Sequence, residues 1–199
     1  MVTKAAVRLT REGKDHVAEW KVKSDLGTRV HAYAEGFARF VMGETEHRPV
    51  VQEPSDFDYV DAFINWWNDF QPVPLLVEPV LIYNHPDLGY GGRADLICQY
   101  GIVDYKTGGH FLVDPILQLN AYARCSLAIY KDGWLIGEKP LPETGDGLVT
   151  VYLNGDGTYE HVEVPNTTEI FNTFLALRQV YGGIKALEKF EREYKKGQA

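Results

Sequence analysis

Gly92-Arg93-Ala94-Asp95-Leu96-Ile97-Cys98-Gln99-Tyr100-Gly101-Ile102-Val103-Asp104-Tyr105-Lys106 is the stretch on which the fold turns. Two β-rich runs, 93–98 and 101–106, flank Gln99-Tyr100, and Gly101 supplies turn chemistry, so the stretch reads as a β-hairpin. With those two residues as the loop, Cys98 faces Gly101 and, counting outward, Asp95 faces Asp104. Directly opposed residues sit about 4.5–5.5 Å apart at Cβ, which brings the two carboxylates into one small space. Alternation along the strand puts Ile102, Asp104 and Lys106 on one face and Val103 and Tyr105 on the other.

Two like charges across a hairpin destabilise it, and charges in an otherwise apolar strand lose hydration. A hard divalent cation between them converts that repulsion into coordination. Asp-x-Lys alone has a plainer explanation, an edge strand with solvated charges and a lysine counter-ion. The choice rests on the neighbouring residues.

At 199 residues, 45% hydrophobic and 24% charged, the chain fits one soluble globular domain with a real core. No run approaches 18 consecutive apolar residues, and the start, Met-Val-Thr-Lys-Ala-Ala-Val-Arg, lacks a signal peptide's apolar centre. An intracellular protein with no membrane partner is expected. The two cysteines, Cys98 and Cys125, form no Cys-x-x-Cys pair, which leaves a zinc ribbon or an iron-sulfur cluster unsupported and suggests two buried small hydrophobes. A net charge of −8 argues against holding nucleic acid by bulk electrostatics, although bound divalent ions invert the sign of a carboxylate cluster. Residues 1–29 carry seven Lys/Arg against four Asp/Glu, whereas residues 44–69 carry one Arg against seven Asp/Glu. A polyanion is expected to meet the first segment.

Residues 1–23 are mixed, with Trp20 as an anchor. From Asp25 to about Gly43 the spacing of Val30, Ala34, Phe37, Phe40 and Val41 predicts a helix, on which His31 and Glu35 share a face. Ser55 is placed to cap a second helix carrying Phe57, Val60, Phe63, Ile64, Trp67 and Phe70, ended by Gln71-Pro72-Val73-Pro74. Leu75–Tyr83 reads as a strand holding Glu78, and with 93–98 and 101–106 it makes an antiparallel meander. A third helix is predicted over about Ile116–Tyr130, with Gln118 and Tyr122 one turn apart, then a short strand at Trp134–Ile136. A second hairpin, 148–153 and 158–164, surrounds Asn154-Gly155-Asp156-Gly157. Asn166 with Glu169 offers a capping box for a last helix, interrupted at Gly182-Gly183. The order gives an α/β or α+β fold in one layered domain over residues 1–199, with the C-terminal hairpin and helix over 147–195.

In order, the chemistry-bearing residues are Gly27-Thr28 with His31, then Glu78, Gly92-x-x-Asp95, Asp104-x-Lys106-Thr107-Gly108, and Gln118-x-x-x-Tyr122. This order and spacing resembles the PD-(D/E)XK nuclease superfamily, in particular its RecB-like branch of phage and bacterial exonucleases and CRISPR-associated adaptation nucleases. The resemblance covers residues 27–122. It implies a restriction-endonuclease-like core, with His31, Asp95, Asp104 and the Tyr105 backbone carbonyl as metal ligands and Glu78 helping to hold or orient the metal. Lys106 matches the catalytic lysine, with Asp104, Asp95 and Glu78 beside it in the catalytic set. Gln118 and Tyr122 match a helix motif supporting the site and the DNA strand, with Thr107 and Arg93 alongside. The iron-sulfur cysteines of some relatives are absent, and so is any helicase motif.

The residue types agree with phosphodiester hydrolysis, which needs a water made nucleophilic near pH 7 and a neutralised transition state, both supplied by one or two divalent ions. Carboxylates suit Mg2+ or Mn2+, and the imidazole favours Mn2+. The leading expectation is a metal-dependent deoxyribonuclease, an exonuclease by family branch, acting on DNA in processing, recombination or repair, as a homo-oligomer or with a recombination partner. The alternatives are a catalytically inactive DNA-binding scaffold of the same fold and a restriction-type endonuclease.

Overall fold

The computed structural model describes residues 16–109, 113–132 and 135–197. Three adjacent antiparallel strands form the expected meander: β1 (Pro74–Val77), β4 (Leu96–Cys98) and β5 (Gly101–Lys106). Cys98 pairs with Gly101 and Leu96 with Val103, so the register is the one counted from Gln99-Tyr100. Gly101 has φ +143°, and a side chain there would collide with the Gly147 carbonyl. That close approach brings β8 (Gly147–Leu153) alongside β5 in parallel, and β9 (Tyr159–Glu163) completes the sheet in the order β1-β4-β5-β8-β9. The expected second hairpin is β8 and β9.

The predicted strands 75–83 and 93–98 are each broken in two. Beyond β1 the chain restarts as β2 (Val80–Tyr83), and before β4 it runs as β3 (Tyr90–Arg93). Strands β2 and β3 belong to a second sheet, ordered β3-β2-β6-β7, with β6 (Leu127–Asp132) and β7 (Leu135–Pro140). The two breaks lie side by side, since the Glu78 amide donates to the Asp95 carbonyl at 3.0 Å and the Ala94 amide to the Pro79 carbonyl at 3.2 Å. Glu78 adopts φ +52°, a strained conformation for a residue with a side chain, and Pro79 cannot donate to a ladder. The ribbon therefore bends from one sheet into the other, and the bend carries Glu78 and Asp95.

Helix α1 (His16–Val41) starts well before Asp25, and Trp20 on it is 42% exposed. Residues 1–15 and Trp134 lie outside the described residues. Val30 and Ala34 are buried as expected, joined by Tyr33 and Ala38, while Phe40 and Val41 at the helix end are exposed. A 3-10 turn, Pro54–Asp56, leads into α2 (Phe57–Phe70). Ser55 does not cap α2, because its hydroxyl donates to Asp56, and the buried Asp56 is held by the Arg29 guanidinium through two bonds of 2.7 Å. Val60, Phe63 and Trp67 are buried with Ala62 and Trp66, whereas Phe57 and Phe70 at the ends are exposed. This face packs on Val103 and Tyr105, whose ring centroid lies 5.4 Å from that of Phe63 and 5.5 Å from that of Trp66.

On the other face of β5, Ile102 packs with Ile97, Leu119 and Leu148, beneath α3. Helix α3 spans Val113–Tyr122 and not Ile116–Tyr130. Its expected second half is instead β6, where Leu127-Ala128-Ile129-Tyr130 covers the open edge of β2. The last helix, α4 (Thr168–Gly197), runs unbroken through Gly182-Gly183. Its first turn is capped by Thr167, whose Oγ1 accepts from the Ile170 amide at 3.3 Å, while the Asn166 side chain accepts from Arg124 at 2.8 Å and forms no capping box. The fold is α+β, a five-stranded mixed sheet and a four-stranded sheet flanked by helices. Among the described residues no helix is long and apolar enough to cross a membrane.

Candidate metal centre

Helix α1 packs along β1 and presents Ser24, Gly27, Thr28, His31 and Glu35, spaced by three and four, to a cleft of about 500 Å³. The opposite wall is Glu78, Arg93, Asp95 and Thr107, and Lys23 lies at the rim. Gly27 lets the helix come this close, because a Cβ there would lie 3.0 Å from Thr107 Oγ1.

His31 Nδ1 lies 3.2 Å from Asp95 Oδ1, and Asp95 Oδ2 accepts the Tyr105 amide at 2.6 Å. One ligand atom from each of His31, Glu78 and Asp95 fits within a mutual distance of 4.8 Å. The N–H and C=O of one strand residue point to the same side, so the Tyr105 carbonyl also faces the gap left where β4 ends. Arg93 Nη1 is 3.7 Å from Glu78 Oε2 across the mouth of the cleft.

Asp104 stands slightly apart. The ladder between β4 and β5 reaches only to Leu96, so Asp95, the residue before it, leaves the sheet at the bend and turns towards α1. Asp104 stays in the strand, 2% exposed, with Lys106 Nζ 2.8 Å from Oδ1 and 2.6 Å from Oδ2. The two carboxylates therefore adjoin without sharing a ligand cluster, and Asp104 Oδ2 has no well-directed hydrogen bond. Lys106 also donates to Gln118 Oε1 at 3.3 Å, Gln118 Nε2 to the Tyr122 hydroxyl at 2.9 Å, and that hydroxyl to the Arg93 carbonyl at 2.6 Å. Only a glycine at 92 leaves room for the Tyr122 ring. The motif on α3 thus holds the lysine and ties the helix to the bend.

The charges are badly matched without a cation. Burial, then the charges of Asp95 and Glu35, push the Glu78 carboxyl up to about 7. Burial and Asp95 push Asp104 up to about 6, although Lys106 pulls the other way. Burial pulls His31 down, but its hydrogen bond to Asp95 and that residue's charge more than reverse this. A divalent ion fits the set chemically: an imidazole nitrogen and two half-buried carboxylates on one cleft, with the buried Asp104 carboxylate adjoining. His31, Glu78 and Asp95 are the residues that would hold it, with Asp104 and the Tyr105 carbonyl alongside.

Among the sequence-predicted residues, the structure brings His31, Glu78, Asp95, Thr107 and Arg93 around one cleft, and Asp104, Lys106, Gln118 and Tyr122 into one hydrogen-bonded line beside it. Sequence reasoning missed Lys23 and Ser24 as lining groups, and it placed Glu35 on the face of His31 without assigning it to the site. It also missed the Arg29–Asp56 pair that fixes α1 against the 3-10 turn, a long-range contact with no local signal. No protein-family model and no curated protein matches the sequence.

Proposed function

We propose that this chain is a metal-dependent nuclease of the PD-(D/E)XK type, an exonuclease that hydrolyses phosphodiester bonds of DNA in processing, recombination or repair. The observation that carries the reading is the grouping of His31, Glu78 and Asp95 within 4.8 Å, with the buried Asp104–Lys106 pair on the adjoining strand. The topology is compatible with it: β1, β4 and β5 form an antiparallel meander, β8 lies parallel to β5, and helices flank this short mixed sheet, as the sequence resemblance implies.

When bound, Mg2+ or Mn2+ supplies Lewis acidity at the phosphate and a more acidic water. The chain's own groups do the rest. Lys106, held by Asp104 and Gln118, keeps its ammonium at the edge of the carboxylate cluster, where it can donate to a phosphate oxygen or orient the attacking water. Lys23, Thr28, Arg93 and Thr107 line the same cleft and offer contacts to the phosphate backbone, which position a strand without reading its sequence. With a net charge of −8, binding relies on these few groups and weakens with salt less steeply than for a basic protein.

Incubating linear and closed circular DNA with Mg2+ or Mn2+, with EDTA as control, tests the reading. Metal-dependent loss of linear DNA alone supports an exonuclease. Cutting of closed circles favours a restriction-type endonuclease, and binding with no cleavage of either favours an inactive scaffold.

A further inference from the structure

Helix α4 is 30 residues long, and among the described residues its first turns carry its contacts with the body. Phe171 is buried with its ring centroid 5.6 Å from that of Tyr83, Phe174 lies 5.0 Å from Tyr90, and Arg178 Nε donates to the Leu88 carbonyl at 3.4 Å. Beyond Arg178 every residue with a described side chain is exposed. At about 1.5 Å per residue this segment projects roughly 28 Å from the body. Its ion pairs, Lys185–Glu188, Lys189–Glu193 and Lys195–Glu191, all lie within the helix.

Two features of the projecting helix are unfavourable as it stands. Leu177, Val180, Ile184, Leu187, Phe190 and Tyr194 recur at three and four and are 49% to 70% exposed, a continuous apolar seam in water. Gly182 and Gly183 sit in mid-helix, and among the described residues no atom lies within 4 Å of where a Cβ would be. Each costs about 1 kcal/mol relative to alanine in a helix interior. Among the described residues nothing packs on this seam.

We propose that α4 pairs antiparallel with α4 of a second copy of this chain. Setting Ile184 against Leu187 of the partner creates two equivalent central layers about a two-fold axis, with Leu177 against Tyr194 further out. The same register brings Phe190 over the partner's Gly183, which gives that glycine a purpose as the seat for a large ring. If each of six seam side chains keeps about 100 Å² to bury, the two copies together cover about 1,200 Å², the lower end of stable specific interfaces. The polar face favours a copy over an anionic surface: residues 185–196 mix five Lys/Arg with three Glu. Antiparallel packing also sets the helix dipoles in opposition.

Light scattering on the purified full chain tests the pairing. The expected result is twice 22.5 kDa for the unaltered protein and 22.5 kDa for Ile184→Glu/Leu187→Glu, with body melting and nuclease activity unchanged. Gly183→Leu raises intrinsic helix propensity yet fills the seat for Phe190, so it should weaken the dimer at least tenfold. A mixture of Ile184→Cys and Leu187→Cys chains should oxidise chiefly to the mixed disulfide. A monomeric unaltered protein, whether or not it binds anionic vesicles, overturns the proposal. So does a dimer that survives Ile184→Glu/Leu187→Glu or Gly183→Leu, and preferential Leu187→Cys self-crosslinking would show a parallel pair instead.

Discussion

Without metal, the protein should be more stable at pH 5.5 than at pH 8, because the cleft gathers carboxylates that resist ionisation. Glu78 titrates at about 7 in the folded chain against 4.5 when free, so the folded state keeps a proton that the unfolded state releases between those values. The stabilisation is fully present below about 4.5 and is lost as pH rises through about 7. A shift of this size corresponds to about 3 kcal/mol as an upper bound. Asp104, raised from 3.8 to about 6, acts in the same direction but does not simply add, since repulsion from Asp95 enters both shifts. His161 opposes the trend weakly, because burial lowers its pKa and protonation then favours the unfolded chain below about 6.5. At about 2–4 °C per kcal/mol for a chain of this size, the melting temperature in EDTA should fall by about 5–10 °C between pH 5.5 and pH 8. Glu78→Gln should remove much of that difference, and Mn2+ at pH 8 should restore the lost stability. Thermal melts across this pH range, with and without EDTA, make the comparison. A melting temperature that rises towards pH 8 in EDTA, or a Glu78→Gln variant with the unaltered profile, would refute the reasoning.

Lys106 and His31 should separate cleanly. Lys106→Ala is expected to bind Mn2+ normally in calorimetric titration and to lose at least about 10² in turnover, since a positioned proton-transfer or charge-stabilising group supplies effects of that order. His31→Ala should lose metal affinity first and recover part of its rate at raised Mn2+; the opposite pattern would reverse the two roles. Gly92→Ala drives a methyl into the Tyr122 ring, so denaturant unfolding should show a loss of about 1–3 kcal/mol, with a matching drop in activity as Gln118 releases Lys106. Unchanged stability would mean that the bend yields without strain.

The hairpin register was legible because Gly101 and strict alternation leave few ways to pair 93–98 with 101–106, and a one-residue slip would invert Val103 and Tyr105. Residues placed by that register or by helical spacing, Asp104, Lys106, His31, Gln118 and Tyr122, could be assigned to faces in advance. The sheet-to-sheet bend could not. It depends on Glu78 taking a left-handed conformation and on two hydrogen bonds between segments about 16 residues apart, which no local preference announces. The boundary of α3 was misread for a related reason, since Leu127–Tyr130 suits helix or strand alone and the open edge of β2 decides. Ser55 and Asn166 looked like caps, but Asp56 and Arg124 claim their side chains. Such competition between polar partners appears only once the chain has folded.

We propose cleavage of DNA by a metal held in this cleft, and one comparison tests it directly. End-labelled linear DNA should be digested with Mn2+ by the unaltered chain, and Asp104→Asn, which replaces a carboxylate oxygen without changing shape, should melt normally yet lose cleavage by several orders of magnitude. Near-normal digestion by Asp104→Asn, or none by the unaltered chain with Mn2+ demonstrably bound, would contradict the account.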